Sequence, residues 1–512
     1  MMRFRYYILL ASFLVALVFA QEQVIFNNLH PSWNTQPLAD VSSQVKGAIL
    51  AAKHEGEKWT HVGKEYIKQS GLIYELVSHP KFDDYQLRVT EPKLCDPSVQ
   101  QYSGYLDIAE GKHLFFWFFE ARNSPKTAPL ILWLNGGPGG SSTTGLLLEL
   151  GPCSIADSGH NTTYNPHSWN TDANIIFLDQ PVNVGFSYTD DGSTVNNSPA
   201  AGKDVYAFLE LFLHQFPEYA NLPFHLAAES YGGTYAPNIA SVIHEQNRQL
   251  NHAHAAEGVR RINFASVVLA NGLTDPYTQM GSIADYLCEG PYPVYSDPNG
   301  PECQSLRSKI PTCQHLIKSC YQFNSRFTCV PAQLYCNTQL FAPLMKLALN
   351  PYDANGLDRN IHERACDQGR TWCQPVSSIR DVEVNRAFTR QGDGMHNSAL
   401  LLTDLVNDGV RLLVYAGNAD AMCHFIGNER WVELLDSNFN SEFAATKPVP
   451  WILKSSGKQA GEARSAGGSG FTAGNVTFVT VFEAGHMVPY DQAEAALDLI
   501  TRWTTNVPLS LH

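Results

Sequence analysis

A serine lies in the segment Ala228–Gly232, between an apolar run and a helical pattern. A small residue, any residue, Ser230, any residue and glycine, placed after a strand and before a helix, is typical of a sharp turn that exposes a nucleophilic hydroxyl. The same short pattern also occurs by chance at ordinary strand-to-helix turns. It is therefore the context, more than the motif, that points to Ser230 as a nucleophile.

A glycine-rich stretch, Trp133–Ser142, follows another apolar run. Consecutive glycines expose backbone N–H groups, which stabilise the oxyanion that forms in acyl transfer. A phosphate-binding loop is the alternative, but the stretch lacks both the Lys-Ser/Thr ending and the spacing of a dinucleotide motif. A plain structural loop remains the other alternative.

A nucleophilic serine needs a base, and the base needs an acid to orient it. Asp420 and His486 each follow an apolar run, in a chain order, Ser, Asp, His, that is known for catalytic triads on parallel sheets. The chain has 18 histidines, most of which we expect to be structural or solvated. His486 differs because a strand and a glycine place it at the same predicted sheet edge as Ser230.

These candidates require a sheet that brings strand ends together. Continuous apolar runs predict strands buried on both faces, as in a parallel sheet. The runs are 130–134, 175–178, 224–228, 267–270, 412–415 and 478–482, with paired aromatic strands at 102–107 and 113–120 and helical patterns at 201–216 and 235–246. The sequence predicts an α/β fold with helices on both faces. We expect about 274–390 to be an inserted cap, 456–474 a flexible loop and 21–87 helical.

Composition limits the class of protein. Of 512 residues, 44% are hydrophobic and 16% charged, which excludes wholesale disorder. The formal net charge of −14, without a basic run, argues against nucleic-acid binding. Residues 1–20, with basic residues before a short apolar run, predict a cleaved signal peptide and a secretory protein without a membrane anchor. Glycosylation sequons begin at Asn161, Asn196 and Asn475.

Cysteine usage agrees with secretion. Eight of the eleven cysteines lie between Cys288 and Cys373, without the close pairs of a zinc site, so we expect disulfides and no metal. Eight cysteines allow 105 pairings, which spacing does not resolve. The odd total predicts one free thiol unless it pairs between chains.

Several of these segments together resemble the serine carboxypeptidase family, and its fungal members most. The motifs are 133–142, 176–188, 201–206, 229–231, 420–423 and 485–489, within a likeness that runs from about Tyr102 to the end. The resemblance implies an α/β-hydrolase fold with a disulfide-rich cap, at about 91–512, and a zymogen with a pro-segment at about 21–90. It also implies peptide and protein C-termini as substrates, no cofactor, and a vacuolar or lysosome-like acidic compartment, with the extracellular space as second choice.

The same resemblance assigns roles to residues. Ser230, Asp420 and His486 would be the catalytic triad, with the backbone N–H groups of Gly137 and Tyr231 as the oxyanion hole. The substrate carboxylate would bind Trp133, Asn135, Gly136, Glu149 and Glu229, and the free Cys423 and Met487 would line the substrate pocket. Implied disulfides are Cys288–Cys303, Cys313–Cys336, Cys320–Cys329 and Cys366–Cys373, and Cys95 with Cys153 is a guess. Two adjacent glutamates near a bound carboxylate cannot all ionise cheaply, so we expect at least one to be protonated.

The chain departs from the family at two glycines. Gly140 stands where relatives have a bridged cysteine, and the later segment that would carry the partner cysteine is missing between about 380 and 388, so both ends of the bridge are absent together. Gly394 stands where the family has a tryptophan in the acyl-side pocket. We predict a serine carboxypeptidase that removes single C-terminal residues. The alternatives are an esterase or acyltransferase on the same fold, for which the glutamate pair would have no use, and a catalytically silent secreted binding protein. Side-chain preference and oligomeric state stay open.

Overall fold

The computed structural model describes residues 57–61, 64–69, 71–108, 111–157, 161–252, 259–347, 350–355 and 381–509. The predicted signal peptide, residues 21–56 of the predicted pro-segment and the predicted Cys366–Cys373 bond lie outside these residues. The strands are β1 Glu57–His61, β2 Lys64–Gln69, β3 Leu72–Ser78, β4 Tyr85–Thr90, β5 Gln101–Ile108, β6 Lys112–Phe119, β7 Leu130–Leu134, β8 Cys153–Ala156, β9 Asn161–Tyr164, β10 Asn174–Leu178, β11 Tyr188–Thr189, β12 Phe224–Glu229, β13 Phe264–Ala270, β14 Arg411–Gly417, β15 Val449–Ile452, β16 Gln459–Ala466 and β17 Val476–Val481. The α-helices are α1 Ser198–Gln215, α2 Gly232–His252, α3 Pro276–Gly281, α4 Ile283–Glu289, α5 Pro301–Phe323, α6 Arg326–Cys336, α7 Val382–Thr389, α8 Thr403–Asn407, α9 Phe425–Leu434, α10 Asn440–Ala445, α11 Val488–Asp491 and α12 Ala493–Thr504.

The chain divides into two units. The smaller comprises residues 1–60 and 66–73, and its described residues outside turns are extended strand. The larger comprises residues 61–65 and 74–512 and carries every predicted site residue. Among the described residues, no helix combines the length and apolar character that a bilayer crossing requires.

Six neighbouring strands of the larger unit are parallel, in the order β10, β7, β12, β13, β14 and β17. The flanking strands β4, β5 and β6 on one side, and β16 and β15 on the other, pair antiparallel. The apolar runs therefore form the parallel centre that the sequence predicts. Parallel pairing places the carboxyl ends of all six strands at one edge of the sheet.

Alternate residues of each central strand pack into different cores, because successive strand side chains point to opposite faces. On one face, Leu132 and Leu226 pack in a cluster with side chains of α1 and α2. On the other, Ile131 and Ala227 pack in a cluster with side chains of α12. Both faces of the sheet are thus covered, and the carboxyl edge stays available for a site.

The helices α3 to α6 lie between β13 and β14 in the chain and have an apolar core of their own, which includes Ile283, Tyr286 and Ile317. Three disulfides join this helical segment: Cys288–Cys303, Cys313–Cys336 and Cys320–Cys329. They are three of the pairings that the resemblance implies.

Two predictions from the sequence are wrong. The described residues between 57 and 90 outside turns are strands where a helical segment was expected, and β3 and β4 pair through the register of Val77 with Leu87. Within the predicted flexible loop at 456–474 lies β16, which pairs with β15 and β17. Its small and charged residues have little intrinsic strand preference, so pairing with its neighbours decides its conformation.

Candidate active site

Ser230 occupies a strained turn between β12 and α2. Its φ of 62° is left-handed, a conformation rare for residues other than glycine and asparagine. Its N–H donates to Ala270 O at 3.0 Å, and its carbonyl accepts from Gly233 N–H at 2.9 Å. A Cβ on Gly232 would lie 2.7 Å from the Cβ of Ala228, which explains why both positions hold small residues. This is the geometry of a nucleophile elbow.

The predicted base and acid are in direct contact. His486 Nδ1 lies 2.7 Å from Asp420 Oδ2, and both side chains are buried. The carboxylate also accepts from the N–H groups of Met422 at 2.8 Å and Cys423 at 3.2 Å. With Nδ1 engaged, Nε2 is the imidazole atom left to exchange a proton with a hydroxyl.

The glycine-rich stretch packs against the elbow. A Cβ on Gly136 would lie 2.3 Å from Tyr231 N, so only glycine allows this approach. Gly137, the next residue, has a φ of 114°, which also favours glycine. The backbone of the predicted oxyanion residues Gly137 and Tyr231 is therefore brought to the same place as Ser230.

The cap holds the glycine-rich stretch from the other side. Asp381 N–H donates to Gly139 O at 2.8 Å, and Asn385 Nδ2 donates to Pro138 O at 3.2 Å. Asp381 is the N-cap of α7, its side chain accepting from Val384 N–H. These hydrogen bonds lie next to Gly140, the position at which the resemblance implies a bridged cysteine.

A buried polar cluster adjoins the elbow on its Glu229 side. Trp133 Nε1 donates to Asn135 Oδ1 at 2.9 Å. Asn135 Nδ2 donates to Glu149 Oε1 at 2.9 Å and to Glu229 Oε1 at 3.2 Å. No N–H or hydroxyl of another described residue donates to the second carboxyl oxygens, Glu149 Oε2 and Glu229 Oε2, and the two carboxyls hydrogen-bond to each other when one carries a proton. The structure thus unites Trp133, Asn135, Glu149 and Glu229 around a buried pair of carboxyl groups.

The pKa values of the ionisable groups in and beside this cluster are shifted from their usual values. Burial raises the pKa of Glu149. Burial, and then the neighbouring charge of Glu149, raise the pKa of Glu229 well above its usual range. Burial lowers the pKa of His486, but the charge and hydrogen bond of Asp420 outweigh it and raise that pKa overall. Two buried carboxyls with raised pKa values are suited to stay protonated and donate hydrogen bonds.

The predicted pocket residues lie beside these groups. Cys423 is the free cysteine among the described residues and is partly exposed, and burial of the thiol, with Asp420 and Glu229 nearby, raises its pKa. Met487 follows His486 and is the N-cap residue of α11. Gly394 is buried, and a Cβ there would lie 3.0 Å from Tyr231 Cε2. This position therefore has no room for a large side chain unless Tyr231 moves.

The remaining predictions concern covalent features. Cys95 bonds to Cys153, the pairing that was a guess. Asn161 is exposed and Asn196 partly buried, but Asn475 is only 7% exposed, so a glycan there would have to be forced into the fold. Asn475 is therefore the least accessible of the three sequons.

One group in the described part of the chain has metal-ligand spacing. It comprises Cys320, Cys329 and His396. The two cysteines form a disulfide, so they do not offer thiolate ligands.

Three residues that the sequence did not single out contact the predicted catalytic groups. Asn271 Nδ2 donates to Asp420 Oδ2 at 2.8 Å. Tyr352 O accepts from His486 N–H at 2.7 Å, and Tyr231 Oη donates to Asp393 Oδ2 at 2.8 Å. Asn271 follows β13, so its place at the sheet's carboxyl edge was a usable signal. No local pattern marks Tyr352 or Asp393.

A parallel sheet whose carboxyl edge carries a serine elbow, a histidine loop and an acid loop defines the α/β-hydrolase fold. The structure is similar to that of Kex1(Δ)p, a prohormone-processing carboxypeptidase from Saccharomyces cerevisiae, with a TM-score of 0.63 and 24% identity over 84% of this chain and 95% of that one. Residues 92–380 and 367–506 match the serine carboxypeptidase family model. The chain belongs to the serine carboxypeptidase family.

Curated relatives agree with this membership. Carboxypeptidase Y homolog A of Neurospora crassa is 40% identical over 92% of this chain and 83% of its own. Carboxypeptidase Y homolog A of Chaetomium globosum is 43% identical over 88% of this chain and 82% of its own. The resemblance to the fungal members of the family is confirmed.

Proposed function

We propose that this protein is a serine carboxypeptidase that releases single C-terminal amino acids from peptides and proteins under mildly acidic conditions. The observation that carries the proposal is the position of the buried Glu149–Glu229 carboxyl pair, because Glu229 directly precedes Ser230. A carboxylate held by these groups would present the last peptide bond to the serine. An enzyme for esters or acyl groups has no use for such a cluster.

The proposed chemistry uses Ser230 at the elbow and the contact between His486 and Asp420. Ser230 Oγ attacks the carbonyl carbon of the last peptide bond while His486 Nε2 takes its proton, since Asp420 occupies Nδ1. The N–H groups of Gly137 and Tyr231 stabilise the oxyanion. His486 then gives the proton to the leaving amino group, and water hydrolyses the acyl-enzyme by the same steps in reverse order.

The cluster would bind the substrate's carboxylate as acids rather than as anions. Protonated Glu149 and Glu229 supply donors to a group that only accepts, while both N–H bonds of Asn135 Nδ2 hold the two glutamates in place. Once these glutamates ionise, they repel the same carboxylate. The proposal therefore includes a preference for acidic conditions, and an acidic compartment of the secretory pathway as the site of action, with secretion as the alternative.

The proposal is tested by digestion of one unmodified peptide with the purified protein, followed by mass spectrometry. We expect a ladder of one-residue losses from the C-terminus, which Ser230→Ala abolishes. Internal cleavage, or no cleavage by protein freed of residues 21–90, would contradict it. A phosphonate probe that labels Ser230 in the wild type separates an active hydrolase from a silent binding protein.

A second comparison separates a carboxypeptidase from an esterase. N-blocked dipeptides with a free carboxylate and with a C-terminal amide differ only in the group that the glutamate cluster would bind. We expect a lower KM for the free acid, and the advantage should shrink as pH rises. Equal KM values at every pH would favour the esterase or acyltransferase alternative.

A further inference from the structure

Asn271 has a backbone conformation that its sequence neighbours do not require. It is fully buried directly after β13, with a left-handed φ of 42°. Its N–H donates to Tyr415 O at 2.9 Å, which anchors the residue to the adjacent strand β14. Asparagine tolerates left-handed backbone better than most residues, but glycine would tolerate it better still. The side chain itself therefore requires an explanation.

Both polar atoms of the Asn271 side-chain amide make hydrogen bonds. Nδ2 donates to Asp420 Oδ2 at 2.8 Å, and Oδ1 accepts from Gly417 N–H at 3.2 Å. Asp420 Oδ2 is the same oxygen that contacts His486 Nδ1. The other donors to this carboxylate are the backbone N–H groups of Met422 and Cys423. Asn271 thus fixes, from a different strand, the oxygen that orients the imidazole.

The same turn also holds the nucleophile. Ser230 N–H donates to Ala270 O at 3.0 Å, and Leu273 N–H donates to Ser230 O at 2.9 Å. Asn271 lies between Ala270 and Leu273 in the chain. A single turn after β13 therefore bonds the backbone of the serine elbow and the side chain of the acid.

We propose that Asn271 is a positioning residue that sets the orientation of the Asp420 carboxylate and, through it, of His486 relative to Ser230. The inference rests on the proposed function and names a further residue for the same reaction. A hydrogen bond from His486 to Asp420 keeps the imidazole in the reactive tautomer only while the accepting oxygen faces it. The Asn271 amide, itself held by Gly417, restricts that carboxylate's rotation.

The alternative is a purely structural asparagine, and Asn271→Asp distinguishes the two. The variant keeps the size and the tolerance of left-handed backbone, but its carboxyl donates to Asp420 only when protonated. Adjacent buried carboxyls cannot both ionise cheaply, so the donor is present at low pH and lost as pH rises. The groups that interact electrostatically with Asp420 are His486, Glu229, Cys423, Tyr286 and His424.

The experiment compares kcat and KM of the full mature protein with those of Asn271→Asp between pH 4.5 and 7. We expect kcat to fall by about 10- to 100-fold at pH 7, the scale of lost orientation, with a smaller deficit at pH 4.5 and little change in KM. Asn247→Asp is the matched control, a buried asparagine of α2 that bonds Ile262. The ratio of the kcat of this control to the kcat of the wild type should not vary with pH.

A deficit in kcat that is constant with pH, or one confined to KM, overturns the inference. If Asn271→Asp does not fold, Asn271→Gly replaces it, because glycine fits the backbone: lost kcat with unchanged KM supports the inference, and unchanged kcat overturns it. A wild type without peptidase activity contradicts the proposed function instead. The rate at which a phosphonate probe labels Ser230 then tests Asn271, since it reports the same activation of the serine.

Discussion

The carboxyl groups of Glu149 and Glu229 share one hydrogen-bond donor, the side-chain nitrogen of Asn135, at 2.9 and 3.2 Å. One oxygen of each acid is thereby fixed, and no other residue in the described part of the chain donates to the second oxygen of either. Burial raises the pKa of both carboxyls; the charge of Glu149 and the hydrogen bond between the two acids raise that of Glu229 further, whereas the same hydrogen bond lowers that of Glu149. The pair is stable when it carries a proton, and it is complementary to an anion.

We expect KM for peptides to rise as pH increases through the raised pKa values of Glu149 and Glu229, because each lost proton replaces a donor by a repelling charge. Replacement of both residues by alanine should raise KM at low pH by about 10-fold or more, the cost of losing a charge-assisted hydrogen bond. Replacement by glutamine keeps a donor and should flatten the pH dependence. Steady-state kinetics from pH 4 to 8 measure both effects. Exposed Glu218→Gln is the control, and a double alanine variant with normal KM would contradict the account.

We expect Glu149→Gln to move the acid limb of the kcat/KM profile, which reports the free enzyme, to lower pH. In the free enzyme, ionised Glu149 is among the groups that raise the pKa of His486, after the contributions of burial and Asp420. A protonated His486 cannot act as a base, so a lower pKa leaves more base at acidic pH. The profile of kcat/KM against pH checks this prediction. An unshifted limb would show that ionised Glu149 does not influence His486, and a limb shifted to higher pH would contradict the sign of the interaction.

We expect acid to destabilise the fold partly through His424. Burial is the main cause that lowers its pKa to about 4, and its Nδ1 accepts from Gly427 N–H as the N-cap of α9. The unfolded chain binds this proton near pH 6.5 and the folded chain does not, so the free energy of unfolding falls as pH drops from about 6.5 to about 4. The contribution is about 3 kcal/mol.

His424→Asn tests this, because asparagine caps a helix without titrating. Urea unfolding at pH 7, 5 and 4 should show a weaker loss of stability than in the wild type. His315→Asn, at an exposed position on α5, is the matched control. If His424→Asn and His315→Asn lost the same amount of unfolding free energy on acidification, His424 would be excluded as the source of the pH dependence.

We expect glycosylation at the exposed Asn161 and none at the buried Asn475, whose N–H donates to Ala466 O at 2.8 Å. In a glycosylating host, Asn161→Gln should lower the mass of the intact protein by one glycan. Asn475→Gln should leave the glycan mass unchanged. Intact-protein mass spectrometry before and after enzymatic deglycosylation measures both. A glycan on Asn475 would mean that the strand β17 is not packed as described.

The parallel core was predictable because its residues satisfy one physical condition, burial on both faces. Leu130–Leu134 is apolar at every position and is a strand at the predicted bounds. The strand Gln459–Ala466 was missed for the opposite reason. Its sequence carries glycine, alanine and charged residues, and only the bonds to β15 and β17 make it extended.

The same contrast holds for the site. Ser230, Asp420 and His486 each stand after a strand of one parallel sheet, so their proximity follows from topology. Tyr352 contacts the ring and the backbone of His486 from outside the sheet, in a segment with no periodic pattern. Contacts that depend on how an irregular segment folds back across a site have no signature in the local sequence.

The bonds from Asp381 and Asn385 to the glycine-rich stretch make one helix of the cap a support for the groups that would stabilise the reaction's charged intermediate. A cap that only covered a pocket could be exchanged between relatives to alter preference while turnover stayed constant. Here the cap is hydrogen-bonded to that stretch, so we expect a chimaera with a transplanted cap to change in kcat as well as in substrate preference.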